Sequence, residues 1–147
     1  MTNQRRTLVT GGPEVSALGL GTWALGGPSA AGDQPLGWGA RFDPAEAAEV
    51  FRAAFDGGIT LYDTADAYGT GTAERLIGET LSGKRDQITI VSKWGNTIDE
   101  AARQLTGQNA TPGYIREALT ASLRRLRTDY LDLYLLHLSG LPVAEAE

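Results

Sequence analysis

Hydrophobic positions along this chain follow two periods in turn. Short runs rich in β-branched and aromatic residues, ITLYDTA, QITIVSK and YLDLYLLHL, read as strands. Between them lie longer segments in which apolar residues return every three or four positions, the period of a helix. Asp43 before Pro44, with Glu46 behind, marks one helix start; Ala47, Val50, Phe51, Ala54 and Phe55 share a face, and Gly57 and Gly58 end it. TAERLIGETL predicts a second helix, stopping at Ser82 and Gly83. Thr111 and Pro112 open a third, in which Ile115, Leu119, Leu123 and Leu126 form an apolar stripe with arginines expected on the other faces.

Ahead of these, TLVTGGPEV predicts a β-hairpin over about residues 7–15, turning at Gly11 and Gly12, and SALGLGTW a strand whose small residues permit close backbone approach. Residues 26–39, GGPSAAGDQPLGWG, are too broken for helix or strand and are expected to form an exposed loop, whose Trp38 is a candidate pocket residue. NTIDEAARQLTGQNA is expected to be a second connecting loop. The last strand, about residues 130–138, is nearly all apolar and suits a buried place with neighbours on both sides. Hairpin, three strand–helix units and a final strand make an α/β order, and right-handed crossovers lay the strands parallel. One domain over residues 1–147 is expected.

Composition narrows the function. At 147 residues and 41% hydrophobic content the chain suits a single core. Thirteen basic against 18 acidic residues leave a net charge of -5, which disfavours nucleic acid and anionic membrane as partners. The absence of cysteine excludes disulfides and thiolate chemistry, and a single histidine argues against a zinc centre, so no metal is expected. No apolar run suits a signal peptide or a membrane span, so the expected location is cytoplasmic.

GLGTWA at 19–24 fits a dinucleotide-binding glycine pattern, but that pattern needs a helix opening at the turn, and Gly26, Gly27 and Pro28 forbid one. A second constellation is dispersed. Asp63, Tyr68, Lys93 and His137 lie at or just past the carboxyl ends of successive strands, the face that carries chemistry in a parallel barrel. Singly, each has a plain structural role open to it: a turn cap, loop packing, a strand-end charge, a core imidazole. Together they describe a general acid at a carbonyl. A tyrosine hydroxyl ordinarily ionises near pH 10, about three units above neutrality, and a cation such as Lys93 favours its phenolate. Asp63 would hold the ammonium, and His137 would orient a substrate oxygen.

The stretches GLGTWALGG, GITLYDTADAYGTGTAERLIGETL, ITIVSKWG and LRRLRTDYLDLYLLH resemble aldo-keto reductases across almost the whole chain. The resemblance implies a partial (β/α)8 TIM barrel of about four parallel strands with alternating helices and an N-terminal β-hairpin. A complete barrel of this kind takes about 250 residues. It also implies reduction of aldehydes or ketones, with Tyr68 as proton donor, Lys93 and Asp63 as its activators and His137 orienting the carbonyl. The hydride would come from NADPH or NADH, with Gly21, Thr22, Trp23 and Asp63 beside the nicotinamide. The family's other cofactor contacts match nothing in this chain. Two alternatives stay open: a truncated, non-catalytic half-barrel, and a carbonyl acid/base catalyst independent of cofactor. A small carbonyl substrate and a second copy, joined through exposed strand edges, are the expected partners.

Overall fold

The structure, a computed structural model, describes residues 5–37 and 42–138. Strands β1 (Arg5–Thr7) and β2 (Glu14–Ser16) pair antiparallel, and β3 (Gly19–Gly21) follows. A 3-10 turn at Trp23–Leu25 leads into β4 (Ser29–Ala31) and β5 (Gln34–Leu36). Helix α1 (Pro44–Asp56), strand β6 (Leu61–Asp63), helix α2 (Thr72–Thr80) and strand β7 (Thr89–Trp94) come next. Strands β8 (Asn96–Asp99) and β9 (Gln104–Gln108) precede helix α3 (Pro112–Leu126) and strand β10 (Leu133–Leu136).

Side-chain caps set two of the helix starts. The Asp43 carboxylate accepts from the Ala45 amide at 2.8 Å, and the Thr111 hydroxyl from the Tyr114 amide at 3.3 Å. A proline stands at the start of each helix, where no amide donor is needed, and each cap stabilises by about 1 kcal/mol. Four strands form one parallel sheet in the order β10-β7-β6-β3, with Gly21 opposite Asp63, Asp63 opposite Val91, and Leu135 opposite Lys93. The core between sheet and helices is built from Phe51 of α1, Tyr62 of β6, Ile77 of α2, Ile90 of β7 and Leu126 of α3. Each such side chain stabilises by roughly 1.5–3 kcal/mol on burial. Because the four strands run parallel, their carboxyl ends lie on the same side of the sheet. Among the described residues no helix is long and apolar enough to cross a membrane.

Several sequence expectations need correction. The expected hairpin is present but extends past the 7–15 span at both ends, because Arg5 pairs with Ser16 and Thr7 with Glu14, leaving a six-residue loop between the strands. The segment 26–39 is no simple loop: Ser29–Ala31 and Gln34–Leu36 pair as a hairpin. The expected loop 96–110 likewise folds for the most part as the β8–β9 hairpin, and the two hairpins join through β4 and β9 into a second sheet, β5-β4-β9-β8. Val50 is exposed rather than on the buried face of α1. Arg125 is buried on α3, where arginines were expected to face solvent, because Glu74 of α2 neutralises it. Strand β10 has one neighbour, β7, among the described residues, and Leu135 is 42% exposed, so it is an edge rather than a strand flanked on both sides. Trp38 and the tail after Leu138 lie outside the described residues.

Candidate active site

Asp63 is the last residue of β6, and its backbone carbonyl is gripped from β3's end by Thr22, whose amide donates at 2.9 Å and whose hydroxyl donates at 3.0 Å. Thr22 is fully buried, so its hydroxyl holds the strand end. Lys93 stands one residue before the end of β7 with its side chain mostly out of water. An ammonium has three protons to give. Lys93 Nζ lies 2.6 Å from Asp63 Oδ1, 2.9 Å from the Thr64 carbonyl and 3.2 Å from the Tyr68 hydroxyl, which accounts for all three.

This has a direct consequence for Tyr68. Its oxygen accepts from Lys93, so its own proton is directed to another acceptor. The ammonium also sits 4.9 Å from the Tyr68 ring centroid, a cation–π arrangement that fixes the ring as well as the hydroxyl. His137, immediately after β10, meets the Tyr68 ring edge to face, with centroids 5.8 Å apart and planes at 85°. The His137 amide donates to the Trp94 carbonyl at 2.7 Å, and Asn96 Nδ2 donates to the His137 carbonyl at 3.2 Å, so two strands set its backbone. Burial pushes the imidazole below its ordinary pKa, and the Lys93 charge pushes further in the same direction against a smaller opposing effect of Asp63. The ring is therefore neutral at neutral pH. Its Nδ1 is buried without a hydrogen-bond partner among the described residues.

Asp63, Tyr68, Lys93 and His137 thus come together on one rim, as their strand-end positions require. Gly21 and Trp23 border the same rim. A Cβ built on Gly21 meets nothing within 4 Å, so the end of β3 leaves open room beside Asp63, and Trp23 is 48% exposed at the start of the 3-10 turn. The Thr64 carbonyl escaped sequence reasoning, because a backbone acceptor leaves no mark on residue type. Asn96 escaped it too, since it lies in the segment read as a loop.

A family model described as the aldo/keto reductase family matches residues 17–142. The aldo-keto reductase YhdN of Bacillus subtilis is 43% identical over 128 residues, covering 86% of this chain and 35% of that protein. The solved aldo-keto reductase AKR11C1 from Bacillus halodurans, in a holo form, superposes with a TM-score of 0.74 at 34% identity, covering 97% of this chain and 43% of its own. An aldo-keto reductase from Klebsiella pneumoniae in complex with NADPH superposes with a TM-score of 0.64 at 32% identity, covering 97% of this chain and 42% of that one. The chain spans less than half the length of each of these relatives.

Proposed function

The chain belongs to the aldo/keto reductase family, and from that premise we propose that it forms the acid–base half of an NAD(P)H-dependent oxidoreductase that reduces an aldehyde or ketone to the alcohol. The observation that carries this reading is Lys93, held by Asp63 at 2.6 Å while it donates to the Tyr68 hydroxyl at 3.2 Å. Tyr68 gives its proton to the carbonyl oxygen, and the ammonium beside it stabilises the negative charge left on the phenolic oxygen. Asp63 keeps the ammonium in place. The neutral imidazole of His137, against the Tyr68 ring, orients the carbonyl by hydrogen bonding.

Bound NADPH or NADH would supply the hydride to the carbonyl carbon. The open room at Gly21, the exposed indole of Trp23 and the part-exposed carboxylate of Asp63 suit its nicotinamide end, while Thr22 acts through its grip on Asp63. The test is NADPH consumption with a panel of small aldehydes and ketones. Consumption that disappears in Tyr68→Phe supports the reading; no consumption in any assembly state of the chain overturns it.

The proposed partner, besides the carbonyl substrate, is a second copy of the chain. Strand β10 presents an edge with Leu135 exposed, and Leu18 ahead of β3 is 73% exposed at the opposite edge. Unpaired strand edges with apolar side chains are templates for pairing, and a twofold contact satisfies both copies at once.

A further inference from the structure

The chemistry proposed above needs Tyr68 to be held in a fixed position against Lys93 and His137, yet Tyr68 lies in a loop, without a strand ladder to hold it. Its amide donates to the Ala65 carbonyl and its carbonyl accepts from the Ala73 amide, each at 3.2 Å, and the loop also packs against Gly26. A Cβ built on Gly26 would stand 2.7 Å from the Tyr68 carbonyl carbon, and one on Gly69 would stand 1.7 Å from the Gly26 oxygen. The two backbones are packed as closely as glycines allow, so the Gly26 peptide acts as the wall against which Tyr68 is set.

That wall is gripped by one side chain. Arg103 donates from Nη2 to the Gly26 carbonyl at 3.2 Å, from Nε to the Pro28 carbonyl at 2.7 Å, and from Nη1 to the Thr72 hydroxyl at 3.4 Å. Thr72 is the first residue of α2, directly after the Tyr68 loop, so a single planar guanidinium spans both sides of the Gly26–Tyr68 contact. Arg103 closes the turn between β8 and β9 in a left-handed backbone conformation, φ 56°, and its own carbonyl accepts from Ala30 of β4 at 3.0 Å. The same turn is tied down at its other end, where Glu100 pairs with Arg75 and, at 2.8 Å, with Arg125. A left-handed arginine in a turn anchored at both ends is held there by its surroundings.

We propose that Arg103 is a positioning residue for catalysis, setting the Tyr68 hydroxyl against Lys93 and His137 through Gly26. The inference rests on the reading of Tyr68 as proton donor. It assigns a purpose to the second sheet: β4, β5, β8 and β9 carry Arg103 to the rim rather than adding to the core.

Two readouts test it on the full chain. In turnover, Arg103→Ala lowers kcat by up to about 10²-fold, the scale of a misplacement of about 1 Å, with the carbonyl KM changed by less than about twofold. Arg103→Lys, which keeps the charge but reaches fewer of the three acceptors, recovers part of the loss. The second readout needs no turnover. His137 is the sole histidine of the chain, so its imidazole proton signals are unique, and their through-space coupling to the Tyr68 ring reports the contact directly. Arg103→Ala and Gly26→Ala, each still melting cooperatively, should both weaken that coupling. Unchanged coupling together with unchanged kcat in Arg103→Ala overturns the proposal, and so does a kcat loss that Arg103→Lys shares in full while the coupling stays intact. If the wild-type chain reduces no carbonyl, the functional reading fails on its own, while the coupling still decides whether Arg103 sets Tyr68.

Discussion

Arg125 of α3 donates through Nε to the Glu74 carboxylate of α2 at 2.6 Å, and both side chains are shut away from water. Ser92 of β7 donates to the other Glu74 oxygen at 2.5 Å, and Arg125 also donates to Glu100 at 2.8 Å and to the Ser122 hydroxyl at 3.2 Å. The pair therefore links two helices, a central strand and the β8–β9 turn. Removing one member strands the other charge. Glu74→Ala is expected to cost about 3–5 kcal/mol in denaturant unfolding, whereas Glu74→Leu combined with Arg125→Met should cost much less, because no buried charge is left unpaired. Equal losses in the two variants would show that packing, not charge, is what the pair contributes.

A second buried acid lies near the same arginine. Asp66 is 2% exposed, and its carboxyl is pushed up to about 7, first by burial and then by the Glu74 charge, against the opposing pull of Arg125. The folded state thus keeps a proton that the unfolded chain gives up near its ordinary value of 3.8. Stability is then fully present below about pH 4 as far as this group is concerned, and declines as pH rises from there to about 7, by at most about 1.4 kcal/mol per pH unit. Asp66→Asn should flatten that part of the curve and raise stability at pH 8. Unfolding midpoints measured from pH 4 to pH 8 in both proteins check the sign.

Tyr68 and Lys93 should behave as one unit in turnover. Tyr68→Phe is expected to lower kcat by about 10²–10⁴-fold with cofactor affinity nearly unchanged, since the phenol supplies the proton. Lys93→Met should also lower kcat, by removing the cation that donates to the Tyr68 oxygen. Once Tyr68 is gone the ammonium has no hydroxyl to act on, so the double variant should be little worse than Tyr68→Phe alone. Multiplicative losses across this cycle would separate the two residues.

Association is expected to run through β10. Light scattering after size-exclusion chromatography should give at least a dimer at micromolar concentration, and Leu135→Lys, a charge placed on the exposed edge strand, should shift the protein towards monomer. A monomeric wild-type chain would remove the second copy as a partner.

The parts of this protein that were legible in the amino-acid order are those that bury one face. Asp43 and Pro44, or Thr111 and Pro112, announce a helix because the cap and the missing amide act within a single turn. Asp63, Lys93 and His137 could be aligned on one rim because each lies at or beside the carboxyl end of an apolar strand, and parallel strands deliver their carboxyl ends to the same side. The β4–β5 and β8–β9 hairpins were not legible: their residues cover no core, so no alternation of apolar and polar side chains marks them, and β4 pairs with β9 across much of the chain. Burial of Arg125 and exposure of Leu135 were likewise decided in three dimensions. A guanidinium is tolerated in a core only where a carboxylate from another helix meets it, and a leucine of an apolar strand is buried only where a neighbouring element covers it. Both conditions are set by contacts between segments distant in sequence, which local periodicity does not record.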